Sequence, residues 1–298
     1  MKENSLWSEK YRPDILENYV GNENLKSTIS KYIALNDIQN LIFYGPPGCG
    51  KTTLAKIIVK NIDCDYLYIN ASDERGIDTI RDKVSGFAST SSFKPLKVII
   101  LDEADFLTIQ AQASLRNIIE TFSRSTRFIL TCNFLERVID PLQSRCQVLK
   151  IVPPSKNEVA KHIHNILNQE SITHTGEDLK LLVENYYPDL RKIINTCQMS
   201  SKDGKINLDK QVLVSSSYHD EVIKLLKKKS FSEIRQVIAN ANVNDFDELY
   251  KVLYERAEEY TKNIAEATII IEEYLYHKNF RIDQEICLMA CIAKLINI

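Results

Sequence analysis

The chain has 298 residues, enough for about two domains, and 44% of them are apolar, so ordinary buried cores can form. Its formal charge is −2 with 26% charged residues, which excludes a polycation: any affinity for nucleic acid has to come from a local basic surface. The first residues are charged and hold no apolar leader, no apolar run approaches the ~18 residues of a membrane span, and the cysteines include no CxxC pair. Reduced thiols in an intracellular compartment, cytoplasm or nucleus of the host cell, are therefore expected, and a zinc ribbon is not.

In chain order, the apolar runs at 40–44, 66–70, 97–102, 127–132 and 147–152 read as strands, and helical periodicity fills 51–62, 76–88 and 110–122. Short apolar strands separated by helices demand a parallel sheet covered on both faces, so an α/β domain is expected over 1–153. The pattern stops at Val152-Pro153-Pro154-Ser155, where two prolines end the strand and Ser155 with Glu158 spells a capping box. From there only helical periodicity continues, broken near Asp203-Gly204-Lys205. A helical lid over 154–212 and an all-helical C-terminal domain over 213–298 are the expected remainder. Cys287 and Cys291, one helical turn apart, read as core packing, and Lys227-Lys228-Lys229 reads as the solvated end of a helix. The tyrosines show no spacing that suggests a cofactor.

Gly45-Pro46-Pro47-Gly48-Cys49-Gly50-Lys51-Thr52 matches GxxxxGK[ST] between a predicted strand and a predicted helix, the context that this motif needs. The glycines let backbone N–H groups converge on a β-phosphate at a helix N-terminus. Lys51 would bridge β- and γ-phosphates of ATP, and the Thr52 hydroxyl, followed by Thr53, would ligate Mg²⁺. The strand KVIILD ends in adjacent acids: Asp102 would hold the metal through water and Glu103 would polarise the attacking water. Read alone, such a pair is also an ordinary acidic helix start; one βα step from a P-loop, chemistry is the stronger reading. Asn133 closes the next strand, where an amide would orient that water or touch the γ-phosphate; by itself it is a common turn residue.

Four further boxes carry a family resemblance. Trp7-Ser8-Glu9-Lys10-Tyr11-Arg12-Pro13, Asn70-Ala71-Ser72-Asp73-Glu74-Arg75-Gly76-Ile77, Asp102-Glu103-Ala104-Asp105 and Pro141-Leu142-Gln143-Ser144-Arg145-Cys146 resemble, in order, boxes of the replication factor C subunits. The stretches Tyr187-Pro188-Asp189-Leu190-Arg191-Lys192 and Ser200-Ser201-Lys202-Asp203-Gly204 look closer to the clamp-loader ATPase of T-even-type phages, which would fit a viral or phage origin. The resemblance implies an AAA+ fold with a C-terminal collar, and an ATPase that works with other subunits in a ring or spiral, pentameric in the family, on a sliding clamp and primer-template DNA. It implies that Arg12 and Val20 flank the adenine, that Asn133 is a first sensor and Arg191 a second, and that Arg145 completes a neighbour's site in trans. The second-sensor box departs from the family's GDMRR form, with Pro188 for the glycine and Lys192 for the last arginine. It also implies DNA tracked by basic side chains, for which Arg75, Arg81, Gln112 and Arg116 are the candidates, against the alternative of solvated helix faces. Another AAA+ DNA motor, for branch migration or unwinding, or a subunit that does not hydrolyse ATP, would share part of this pattern.

Overall fold

The apolar runs of the first half pair edge to edge in a computed structural model of the chain, which describes residues 6–202, 204–208, 210–241, 246–278 and 283–298. The strands are β1 (Leu41–Tyr44), β2 (Cys64–Asn70), β3 (Leu96–Asp102), β4 (Thr126–Cys132) and β5 (Gln147–Lys150). They form one parallel sheet in the order β2-β3-β4-β1-β5. Every residue of β3 is buried, as a strand covered on both faces requires. The first helix, α1 (Trp7–Lys10), is tied by its Trp7 N–H to Gln198 (2.9 Å), and one face of the sheet is covered by α2 (Glu23–Leu35) and α3 (Lys51–Asn61), with Ile29, Leu54 and Ile58 fully buried. The other meets α4 (Ile77–Thr79), α5 (Ser85–Ser89), α6 (Ile109–Thr121) and α7 (Asp140–Gln143), where Ile80, Leu115 and Phe128 fill the core. The helix expected over 76–88 is thus in pieces: a π-helical turn, Ile80–Val84, separates α4 from α5.

Past β5 the prolines act as expected. Asn22 clips the connection down: its Nδ2 donates to the Val152 carbonyl (2.7 Å) and its Oδ1 accepts from the Val152 N–H (3.0 Å). The capping box then opens α8 (Lys156–Gln169), followed by α9 (Gly176–Tyr186) and α10 (Leu190–Ser200). The break near Gly204 is a small antiparallel hairpin of β6 (Ser201–Lys202) and β7 (Lys205–Ile206), with Gly204 at φ 74.

The chain divides into two compact units, Met1–Ile206 and Asn207–Ile298. In the second, α11 (Lys210–Lys227), α12 (Phe231–Ala241), α13 (Asp247–Glu255), α14 (Ala257–Tyr260), α15 (Ile264–Lys278) and α16 (Gln284–Ile296) surround their own core, centred on Ile234, Leu249, Tyr250, Leu288 and Ile292. Cys287 and Cys291 are buried in this unit, and the described residues hold no cluster of three or more metal-ligating side chains. Among the described residues, no helix is long and apolar enough to cross a membrane.

Candidate active site

The carboxyl ends of β1, β3 and β4 lie side by side, and in an open parallel sheet that edge is where ligands bind. The P-loop leaves β1 there. Gly48 and Gly50 take left-handed backbone, φ 72 and 95, which side-chain-bearing residues adopt at a cost. Gly48 is also a close approach: a Cβ on it would stand 1.9 Å from Asp189 Oδ1. Lys51 opens α3 and is 8% exposed. Its Nζ donates to the carbonyls of Gly45 (2.9 Å) and Pro46 (2.7 Å) and to Asn133 Oδ1 (2.7 Å). Burial lowers its pKa, with nearby acidic groups acting the other way. The amide of Asn133 keeps its Nδ2 protons for an acceptor in the cleft.

Asp102, at the end of β3, is 7% exposed and is an assembly point for hydroxyls. Its Oδ1 accepts from Thr52 (2.7 Å) and Thr131 (2.5 Å), and its Oδ2 accepts from Tyr68 (2.7 Å). Among the described residues, no cationic side chain forms a salt bridge with it. A buried carboxylate with neutral donors but no protein cation, 2.7 Å from the P-loop threonine, fits a hard divalent cation such as Mg²⁺. Glu103 follows with φ 57, and its N–H donates to Thr131 Oγ1 (3.0 Å). That left-handed residue turns the chain sharply off the strand, so Glu103 and Asp102 share the cleft wall. Asp105, 7% exposed, accepts from the backbone N–H groups of Asn133 and Phe134, both at 3.2 Å, and so holds the loop that follows β4.

Around these groups lies a cleft open to solvent. Arg12, Val20, Pro47, Gly48, Cys49, Gly50, Lys51, Thr52, Thr53, Asp102, Glu103, Asn133 and Arg191 all line it. Gly45 and Pro46 do not; their carbonyls hold Lys51 instead. Arg191 stands in the first turn of α10, behind the N-cap Asp189. A cation at that end of a helix opposes the macrodipole, which a phosphate facing it would relieve.

The remaining expected residues lie elsewhere. Arg145 does not line the cleft of its own chain; it pairs with Glu120 and donates to the Pro141 carbonyl (2.7 Å). Arg75 and Arg81 are exposed, and Arg75 lies over the Phe106 ring (5.1 Å). Arg116 is half-buried on α6 and bonds Asn117 Oδ1. Gln112 is a correction. It is 2% exposed, donates to the carbonyls of Leu107 (3.1 Å) and Arg137 (3.0 Å), and accepts from the Ile139 N–H (2.8 Å). Its amide ties the start of α6 to the 137–139 turn and has no surface for DNA.

The sequence reading missed Tyr19, Tyr68, Thr131, Asp105 and His162. Thr131 and Asp105 stand inside motifs already singled out, and alternation along β4 would have turned Thr131 to Asp102. Tyr19 donates to the Cys49 carbonyl (3.3 Å), and with His162 it lines the cleft. Burial lowers the His162 pKa, which favours the uncharged ring. No local pattern marks either residue.

The family model for AAA, the ATPase family associated with various cellular activities, matches residues 41–154. The replication factor C small subunit of Sulfolobus acidocaldarius is 34% identical, over 99% of this chain and 97% of that protein. That of Sulfurisphaera tokodaii is 33% identical over 99% and 96%. That of Haloarcula marismortui is 43% identical over 67% and 63%. Among solved structures, the RuvB Holliday junction branch migration motor of Thermotoga maritima superposes with a TM-score of 0.59 over 72% of this chain and 78% of that one. At 19% identity it shares the fold alone. Matched along nearly its whole length at 34% identity, the chain belongs to the replication factor C small-subunit family of AAA ATPases.

Proposed function

We propose that the chain is an ATP-hydrolysing subunit of a DNA sliding-clamp loader, which uses ATP binding and hydrolysis to open the clamp and load it on primer-template DNA. The observation that carries this reading is the convergence of Lys51, Thr52, Asp102, Glu103, Asn133 and Arg191 on one cleft, in a chain of the replication factor C family. The P-loop N–H groups and Lys51 hold the triphosphate, Thr52 and Asp102 hold Mg²⁺, and Arg12 and Val20 flank the base. A cation held by Thr52 and Asp102 would supply neutralisation of phosphate charge. Glu103 accepts a proton from the attacking water, and Asn133 and Arg191 orient the γ-phosphate.

Residues 154–212 act as a lid that brings Arg191 over the cleft, and 213–298 act as the collar that joins subunits. Arg145, free of its own cleft, serves the neighbouring subunit of a pentameric spiral. Arg75, Arg81 and Arg116 face DNA phosphates, and DNA stimulates turnover. RuvB shares the fold, but no residue of this chain favours branch migration over loading.

The test is Glu103→Gln in the assembled complex. Binding of a fluorescent ATP analogue stays within about 2-fold of wild type while hydrolysis falls by at least about 100-fold. Unchanged turnover would remove Glu103 from the chemistry. DNA affinity measured with a non-hydrolysable analogue, with ADP and without nucleotide separates a loader from a bystander: equal affinity in all three sinks the loader reading.

A further inference from the structure

Asp102 has a hydrogen-bond partner on β2 that the P-loop and acid motifs do not foretell. Tyr68 stands opposite Ile100 of β3, two positions short of Asp102. Strand side chains lean along the strand, and here the ring reaches forward until its hydroxyl donates to Asp102 Oδ2 at 2.7 Å. The other carboxylate oxygen faces Thr52 and Thr131. Thr52 and Lys56 lie four residues apart on α3 and share a face, and Lys56 Nζ stands 4.8 Å from the centroid of the Tyr68 ring. Helix α3 therefore meets Asp102 twice: at Oδ1 through Thr52, and at Oδ2 through Lys56 and the phenol.

We propose that Tyr68 is a positioning residue for the divalent metal: by holding Oδ2 it fixes the plane of the Asp102 carboxylate with Oδ1 turned to Thr52 and the metal, and Lys56 strengthens that hold by polarising the phenol. The inference rests on reading Thr52 and Asp102 as the metal side of a nucleotide site. A carboxylate turns about its Cβ–Cγ bond unless both oxygens are held. Once the Thr52 oxygen serves a cation, Oδ1 keeps Thr131 alone, and the Tyr68 hydroxyl becomes the donor that stops the rotation. A cation over the ring face draws electron density from the phenol and makes its O–H a better donor. The ring itself is 38% exposed, so little of its burial is at stake when the hydroxyl alone is removed.

The experiment uses the full chain with a non-hydrolysable ATP analogue and Mn²⁺ as the probe, its free fraction read by electron paramagnetic resonance. Nucleotide affinity in EDTA and the thermal midpoint are measured alongside. Tyr68→Phe keeps the ring and the Lys56 contact; it weakens Mn²⁺ binding by about 10-fold, the lower end for partners of metal-ligating groups, with metal-free nucleotide affinity unchanged and the midpoint lowered only as far as one lost hydrogen bond requires. Lys56→Met weakens Mn²⁺ by roughly 2–5-fold and has no further effect in the Tyr68→Phe background, because the hydroxyl it polarises is gone. Unchanged Mn²⁺ affinity in Tyr68→Phe overturns the proposal. So does a parallel loss of metal-free nucleotide binding, or a Lys56→Met effect of the same size in both backgrounds. A wild-type chain that binds neither nucleotide nor Mn²⁺ sinks the site reading itself, and the inference with it.

Discussion

Replacing Gly48 by alanine tests the close approach of the P-loop to α10. Two costs follow from the geometry. At φ 72 an alanine sits in left-handed backbone, worth about 1–2 kcal/mol. Its Cβ would also lie 1.9 Å from Asp189 Oδ1 and 2.4 Å from Asp189 Cγ, so the carboxylate has to swing away. That carboxylate caps α10 by accepting from the Lys192 N–H at 3.0 Å, and losing an N-cap costs roughly 1 kcal/mol. The sum is about 2–3 kcal/mol for Gly48→Ala. The single tryptophan, Trp7, is 8% exposed in the same unit, so its fluorescence during urea unfolding reports on the right part of the molecule. Asp189→Ala should cost about 1 kcal/mol alone and relieve the clash, so Gly48→Ala added to it should cost only the backbone share, a coupling of about 1 kcal/mol. Equal costs for Gly48→Ala in both backgrounds, or a cost under about 0.5 kcal/mol, would refute the reasoning.

Three other outcomes are expected. Gln112→Ala strands two carbonyls and an N–H inside the first unit and should destabilise it by roughly 2–4 kcal/mol in the same urea assay, while salt-dependent DNA affinity per folded molecule stays put. In the second unit, hydrogen bonds from Arg256 first, and then Lys227, pull the Glu259 carboxyl down from 4.5 to about 2. A depressed carboxyl stabilises above its unfolded value and loses that contribution as protons return. The midpoint difference between wild type and Glu259→Gln should therefore be full above pH 4.5 and vanish as the pH falls to about 2. Burial pushes Cys132, Cys146, Cys197 and Cys291 up to about 12. At pH 8 iodoacetamide should alkylate these at least ~100-fold more slowly in the native protein than in urea, followed by peptide mass.

The sheet and the P-loop were legible because their signals are local. An apolar run has to become a buried strand, and GxxxxGK[ST] encodes its own backbone geometry. What stayed hidden depended on distance or direction. Gln112 and Arg116 share a helical face by spacing, yet one amide satisfies three backbone groups inside while the other side chain reaches solvent; periodicity does not separate a satisfied core amide from a surface one. Tyr68 looked like filler because its partner lies 34 residues away on another strand. The β6–β7 hairpin was missed since two-residue strands carry no alternation to read. Arg145 was placed on the resemblance alone, and its pairing with Glu120 neither needs nor excludes a second subunit.

The Asn22 clip has a consequence for the connection between β5 and α8. Both backbone groups of Val152 are engaged with that one amide, and the Ile151 N–H is bonded to Tyr44, so neither residue turns freely. Pro153 and Pro154 have ring-locked φ, and a residue that precedes proline is confined to extended ψ, which covers Val152 and Pro153. Ser155 is fixed in turn by its reciprocal bonds with Glu158. Of the torsions between β5 and α8, the ψ of Pro154 is left as the soft one, with Gly21 pressed so close that a Cβ there would meet the Pro154 ring at 2.9 Å. Should the proposed lid move, this connection allows it one path, a swing about a fixed axis like a door, once α10 has left its contacts with α1. A pair of labels, one on α3 and one on α9, would then sample a line of distances instead of a cloud.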